Sequence, residues 1–208
     1  MVPTPGPPPR DSPRQVSFRD TAILGEVTTN AKTRKRILGG TPGHTLLYTR
    51  RVLDPGFVTD CPYAPEAILF DEILEVDREA SLIVARMPTH DRLPLTALQR
   101  VHPEKHPRHV AGGLMVHLSS MLGFAHAYFV LDLRHAEGWV GLGTNIQDAR
   151  FGRLATIGPP LRTECRATRV RRIHEGLYVK YAFRFEQEGA VVYESQQGAV
   201  WRRIETES

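Results

Sequence analysis

The chain has little cysteine, no dominant charge and no long apolar run, and each shortage removes a class of protein. Cys61 and Cys165 are the only two thiols in 208 residues. They stand far apart and match no metal-ligand spacing, so neither a disulfide framework nor a thiolate metal site is expected, and the setting read from them is reduced and cytosolic. No stretch near the N-terminus carries the apolar core of a secretion signal, which points to the same cytoplasmic setting. The 27 basic and 23 acidic residues, net charge +4, are spread along the chain and form no nucleic-acid footprint. A basic rim that draws in an anionic substrate fits this balance better. The most apolar stretch, 110–129, is too rich in Gly, Ser and His for a membrane span. No internal repeat is visible.

The same stretch is the clearest structural signal. It contains no Asp, Glu, Lys, Arg or Pro, and Leu114, Leu118, Met121, Leu122, Ala125 and Phe129 recur at helical spacing. Gly113, Val116, Ser120, Gly123 and Ala127 form a second stripe of small residues. The pattern predicts a helix over about 111–129, roughly 27 Å long, buried nearly all round with its small face pressed on a sheet.

Around this helix the chain reads in order. Residues 1–15 hold Pro3, Pro5, Pro7, Pro8, Pro9 and Pro13, which predicts a disordered arm. Residues 16–62 form an extension of uncertain structure, with a basic cluster at 32–36 and a turn at Asp54-Pro55-Gly56. Residues 67–76 fit a strand or a helix. Asp77 to Ala80 turns into a strand at 81–87, and 88–107 is a polar loop. After the helix come a strand at 139–151, a turn at 158–160, alternating strands from Leu161 and from Val179, and a last strand over 190–202. Turns at Glu175-Gly176 and Glu188-Gly189 join them. Consecutive hairpins demand an antiparallel sheet, so the class is α+β.

In this order the residues 63–203 resemble the hotdog-fold superfamily, in which a curved antiparallel sheet wraps one long central helix. Gly112-Gly113 followed by Leu118 and Ser120 is similar to the helix start of phenylacetyl-CoA-type acyl-CoA thioesterases. Residues 68–77, with His102 and His106 ahead of the helix, resemble hydroxyacyl-carrier-protein dehydratases. Gly158 to Leu161 resembles a turn common to both. The chain departs from both patterns. Ala111 stands where the thioesterases carry Asn or His, and Ser120 where they carry a carboxylate. The dehydratase helix also bears an acid, and none lies between Val110 and Phe129; matching that family further requires the insertion Arg108-His109.

The resemblance implies an acyl thioester of coenzyme A or of acyl carrier protein as substrate, with hydrolysis as the reaction. The alternatives are hydration or dehydration of a 3-hydroxyacyl thioester, or acyl binding without catalysis. No cofactor is expected beyond the coenzyme A or phosphopantetheine that belongs to the substrate. The expected partner is a second copy of the chain, as a homodimer or dimer of dimers. Gly112 and Gly113 are the candidate oxyanion donors, since unpaired amides and the dipole at a helix start favour developing negative charge. A water-activating base is sought among His102, His106 and His109, with Ser120 and Asp148 as auxiliary groups. His117, Thr144, Asn145, Arg150 and Arg153 are candidates for substrate binding.

Overall fold

The computed structural model describes residues 53–204. The proline-rich arm at 1–15, the basic cluster at 32–36 and the extension as far as residue 52 lie outside the described residues.

The first element is α1, Pro55–Asp60. Asp54-Pro55-Gly56, expected as a turn, is instead a helix start. Asp54 accepts a hydrogen bond from the Phe57 amide at 3.1 Å, and Pro55 stands in the first turn, where its missing N–H costs nothing. A short 3-10 turn at Pro65–Ala67 follows. The ambiguous segment after it resolves as strand β1, Glu72–Asp77. The carboxylate of Asp77 caps the turn by accepting from the Ala80 amide at 2.8 Å, and β2 runs over Leu82–Thr89.

After the central helix α2, Gly112–Phe129, four strands complete the sheet. They are β3, Trp139–Phe151; β4, Gly158–Ile173; β5, Gly176–Gln187; and β6, Ala190–Arg203. The six strands lie in the order β1-β2-β4-β5-β6-β3, every pair antiparallel. The expected turn at 158–160 is instead the first rung of β4. Gly158 pairs with Thr89 and donates its amide to Thr89 Oγ1 at 2.9 Å, in a left-handed conformation at φ 116° that suits glycine. Glu188 and Gly189, at φ 51° and 75°, make the tight turn foreseen between β5 and β6.

The sheet curls round α2 and buries Leu114, Met115, Leu118, Met121, Leu122 and Ala125. Phe57 and Phe70 join the same core. The stripe of small residues behaves differently from the expectation. Gly123 and Ala127 are buried, but Gly113 and Ser120 are exposed and Val116 is half-buried. Those two exposed positions are seven residues apart and share one side of the helix. The sheet takes the Leu118–Leu122 side and the segment before β1 takes the His117–Tyr128 side, so the first half of the stripe faces outward.

His126 is fully buried on α2, its Nε2 within 3.0 Å of the Ser81 carbonyl and its ring beside Tyr181. Burial holds its pKa down to about 4, against a partial rise from the bond to Ser81. Between pH 6.5 and about 4 the unfolded chain takes up a proton that the folded chain refuses. Stability is therefore complete above pH 6.5 and falls with pH below it, by up to roughly 3 kcal/mol. Melting curves of wild type and His126→Gln across this window should show the steeper loss in wild type. Equal slopes would mean other groups govern the acid limb.

Candidate active site at the helix start

The backbone leading into α2 is held from three sides. The Val110 amide donates to the Ala155 carbonyl at 2.9 Å, and His109 bridges Thr156. Gln99 clamps His109 with both amide atoms, accepting from its N–H and donating to its carbonyl, each at 3.1 Å. Thr96, fully buried, donates to the same carbonyl and accepts from the Ala111 amide, each at 3.2 Å. Thr96 and Gln99 were not singled out from the sequence. They sit in a polar loop 10 to 15 residues from their partners, and nothing in the local pattern marks a fixed role.

Beyond this clamp the helix is left uncapped, because Ala111 has no side chain that can accept. Leu114 is the first amide with a backbone acceptor, the Ala111 carbonyl at 2.9 Å. The amides of Gly112 and Gly113 have no acceptor among the described residues, as expected for the first turn of a helix. Two apolar side chains flank them. A Cβ on Gly113 would meet only Leu95 Cδ1, at 3.2 Å, and one on Gly112 would meet the Phe151 ring at 2.9 Å. Leu95 and Phe151 are themselves 52% and 59% exposed. The result, among the described residues, is a pair of unpartnered donors between two solvent-facing apolar groups.

The histidines divide by environment. His102 and His106 exchange both backbone hydrogen bonds, and His102 Nδ1 accepts from the amides of Glu104 and Lys105 at 3.3 and 3.1 Å. His102 is thereby a turn-forming residue, with that nitrogen occupied. His106 is exposed and packs edge-on to His109, ring centres 5.0 Å apart. His109 Nδ1 lies 2.9 Å from the Pro107 carbonyl. Donation to that carbonyl puts the proton on Nδ1 and leaves Nε2 as the acceptor. His109 is half-buried and stands three residues before Gly112.

The remaining candidates lie apart from this group. His117 points to the segment before β1, with Nε2 at 2.8 Å from the Ala67 carbonyl and its ring beside Tyr63. Ser120 is exposed two turns along from Gly113, whereas Ser119 is buried and donates to the Met115 carbonyl at 2.9 Å. Arg150 pairs in register with Glu194 on the face of the sheet turned away from α2. Thr144 donates to Asn145 Oδ1 at 3.0 Å, and both crowd the bare Cα of Gly198 on that outer face. Asp148, at φ 50°, sits exposed in the bulge between Gln147 and Arg150. Arg153 follows β3, its amide bonded to the Val191 carbonyl at 3.0 Å. Within one chain His106 and His109 meet ring to ring in the segment that leads into Gly112 and Gly113, and Thr144, Asn145, Asp148 and Arg150 lie along β3. An open recess of about 520 Å³ at the other end of α2, between Pro55, Tyr128, Arg134 and Glu137, holds none of these residues. Among the described residues no His, Cys, Asp or Glu cluster is placed to hold a metal.

No protein-family model matches the sequence, and no curated protein matches it. Solved structures do match by shape. A chain of a dehydratase heterocomplex from Xenorhabdus doucetiae superposes with TM-score 0.52 at 9% identity, covering 72% of this chain and 91% of that one. A thioesterase from Haemophilus influenzae gives 0.49 at 17%, over 71% and 90%. A thioesterase from Pseudomonas aeruginosa gives 0.46 at 16%, over 64% and 81%. The strand order, the single wrapped helix and the first of these superpositions show the fold to be the hotdog fold.

Proposed function

We propose that this chain binds an acyl thioester with its carbonyl oxygen at the start of α2 and hydrolyses it. The observation that carries the reading is the pair of unpartnered amides at Gly112 and Gly113, framed by the exposed Leu95 and Phe151. Attack on a thioester carbonyl places negative charge on its oxygen. Free N–H groups at the positive end of a helix stabilise that charge, and an acyl chain finds apolar contact beside them. His109 is the base of choice, because its geometry frees Nε2 at a backbone clamped three residues before the donors. It would take a proton from water as the oxygen bonds to the carbonyl carbon. Collapse of the adduct breaks the carbon–sulfur bond, and the departing thiolate takes a proton to leave as the thiol. No further cofactor is invoked; coenzyme A or phosphopantetheine comes with the substrate. Arg153, just past Phe151, is the cation assigned to a substrate phosphate.

The same reading calls for a second copy. Among the described residues, strand β3 is an edge strand of thirteen residues, paired with β6 alone, and it exposes Leu142 and Ile146. A long bare edge with apolar side chains is covered in natural proteins. Two-fold pairing along β3 would give a homodimer and bring Asp148, Thr144 and Asn145 of one copy towards the other. Light scattering at micromolar concentration should show a dimer or a dimer of dimers; a monomer counts against this part. Cys61 and Cys165 are free thiols, which suits a cytoplasmic setting. Among the described residues no helix is long and apolar enough to cross a membrane.

One observation favours a second reading. Helix α2 bears no Asp or Glu, so a protein that binds acyl groups without turning them over fits the same site. A panel of acyl-CoA thioesters, followed for thiol release and for enoyl absorbance, separates the cases. Thiol release supports hydrolysis, an enoyl signal with 3-hydroxyacyl substrates supports dehydration, and binding with neither supports the acyl-binding reading. Under hydrolysis, His109→Ala should lower kcat by about 10²-fold, the lower range for loss of a general base. His102→Ala, which removes a turn-forming side chain, should change it little.

A further inference from the structure

Three buried side-chain polar atoms have no hydrogen-bond partner among the described residues: His126 Nδ1, Arg134 Nη1 and the Tyr193 hydroxyl. The first two belong to groups that are otherwise engaged. His126 Nε2 meets Ser81, and the Arg134 guanidinium lies 3.5 Å over the Tyr128 ring with Nη2 on Asp132. Tyr193 has a single polar atom, and that atom is unmatched. Tyr181, on the neighbouring strand, shows the ordinary outcome, its oxygen accepting from Trp201 Nε1 at 3.1 Å. Buried polar groups are nearly always paired, and leaving one unpaired destabilises the fold.

The place of Tyr193 gives the anomaly a meaning. It is fully buried on β6, on the side of the sheet that faces α2, opposite Phe151 on β3 and Phe185 on β5. Its ring centre is 5.3 Å from that of Phe151 and 5.2 Å from that of Phe185. Phe151 is the ring that rests against Gly112. One aromatic side chain, 59% exposed, therefore touches both the Tyr193 ring and the backbone of the helix start. Phenylalanine would fill the same space between Phe151 and Phe185 without burying a hydroxyl.

We propose that the Tyr193 hydroxyl donates a hydrogen bond to the acyl thioester bound at the helix start, as a third donor beside the amides of Gly112 and Gly113. This rests on the acyl-thioester reading of that site. The ligand displaces the Phe151 ring, and the phenol then meets an oxygen in a water-poor setting. The carbonyl oxygen of the acyl group is the acceptor that this position suits.

The test uses the full chain and a 2-oxoalkyl thioether of coenzyme A, labelled with carbon-13 at its ketone. This probe keeps a carbonyl but has no thioester bond to cleave. Tyr193→Phe should bind it roughly tenfold more weakly, the scale of one lost hydrogen bond. The ketone stretching frequency should rise relative to the wild-type complex, and the melting temperature should hold or increase. Equal affinity with an unchanged stretching frequency overturns the proposal, as does failure of the wild type to bind the ketone. A Tyr193→Phe protein that melts well below wild type overturns it too, because the hydroxyl would then be bonded within the fold. Phe151→Ala, which opens the path, should leave the ketone frequency low; a rise to the Tyr193→Phe value would place the phenol out of reach of the ligand. The outcomes separate the two readings. Ketone binding that responds to Tyr193→Phe in a protein with no hydrolytic activity keeps the donor and ends the hydrolase reading. Hydrolysis with ketone binding indifferent to Tyr193→Phe does the reverse.

Discussion

Gly113→Ala is expected to lower turnover of an acyl thioester by about 10²- to 10³-fold, the usual scale for losing one oxyanion donor, while leaving the fold intact. The geometry separates the two effects. Gly113 is exposed on the first turn of α2, and a Cβ there would meet only the Leu95 Cδ1 methyl at 3.2 Å. Leu95 is half exposed and can give way, so the added methyl does not crowd the sheet. Alanine is also the better helix former, by up to about 1 kcal/mol. Melting temperature should therefore hold or rise. The methyl instead occupies the solvent side from which a carbonyl oxygen must approach the amide. Gly112→Ala is the comparison: its Cβ would stand 2.9 Å from the Phe151 ring and push it aside. Steady-state rates and melting curves on both purified variants decide the matter. Unchanged turnover in a stable Gly113→Ala protein would remove the oxyanion role.

Much of this arrangement was legible in the sequence, and the limits are physical. The helix expected over 111–129 forms over Gly112–Phe129, because an uncharged run with apolar residues at helical spacing has few other solutions. The strands from Leu161 and Val179 followed from alternation, and the one from Ala190 from the Glu188-Gly189 turn ahead of it. What failed was whatever depends on partners distant in the chain. Small residues on α2 suggested close packing on the sheet, yet Gly113 and Ser120 face outward; composition reports the size of a face and not what covers it. Asp54-Pro55-Gly56 carries the chemistry of a turn and of a helix cap alike, and only the residues after it decide between them. Thr96 and Gln99 each hold the helix start through two bonds to residues 10 to 15 positions away, which leave no periodic trace. Two bulges in β3 set which of its residues face the helix, so strict alternation could not place Asn145, Asp148 or Arg150. Nothing in the sequence marks Tyr193 among the residues of the last strand; only the fold shows its hydroxyl buried with no partner among the described residues.

Phe57→Ala should destabilise the protein by about 3–5 kcal/mol, the usual cost of removing a buried phenylalanine ring. Phe57 lies ahead of the strands from which the hotdog resemblance was drawn, yet it is 1% exposed and packs with Phe70, Tyr128 and Phe129, ring centres 5.5 to 6.0 Å away. Two of those partners are on the last turn of α2. The Asp54 cap and Pro55 start α1 so that Phe57 points into this cluster, and Asp60 then accepts from the amides of His135 and Ala136, each at 2.8 Å. The short helix thus anchors the C-terminal end of α2 to the chain that leads into β3. Without the ring, α2 loses its support on the side that the sheet leaves open. For a domain of this size each kcal/mol moves the melting temperature by roughly 2–4 °C, so a fall on the order of 10 °C is expected. A chain beginning at residue 63 should suffer at least as much, since it lacks Phe57, the Asp54 cap and the Asp60 bonds together. Calorimetry on Phe57→Ala and on that shortened chain checks both. A shortened chain as stable as the full one would mean that the hotdog core closes without α1. The start of α2 should respond less than its end to either change, because Thr96, Gln99 and Ala155 hold it independently. Phe57→Ala at temperatures below its melting point should therefore keep the proposed Gly113 site intact, separating the support of the helix from the chemistry proposed at its tip.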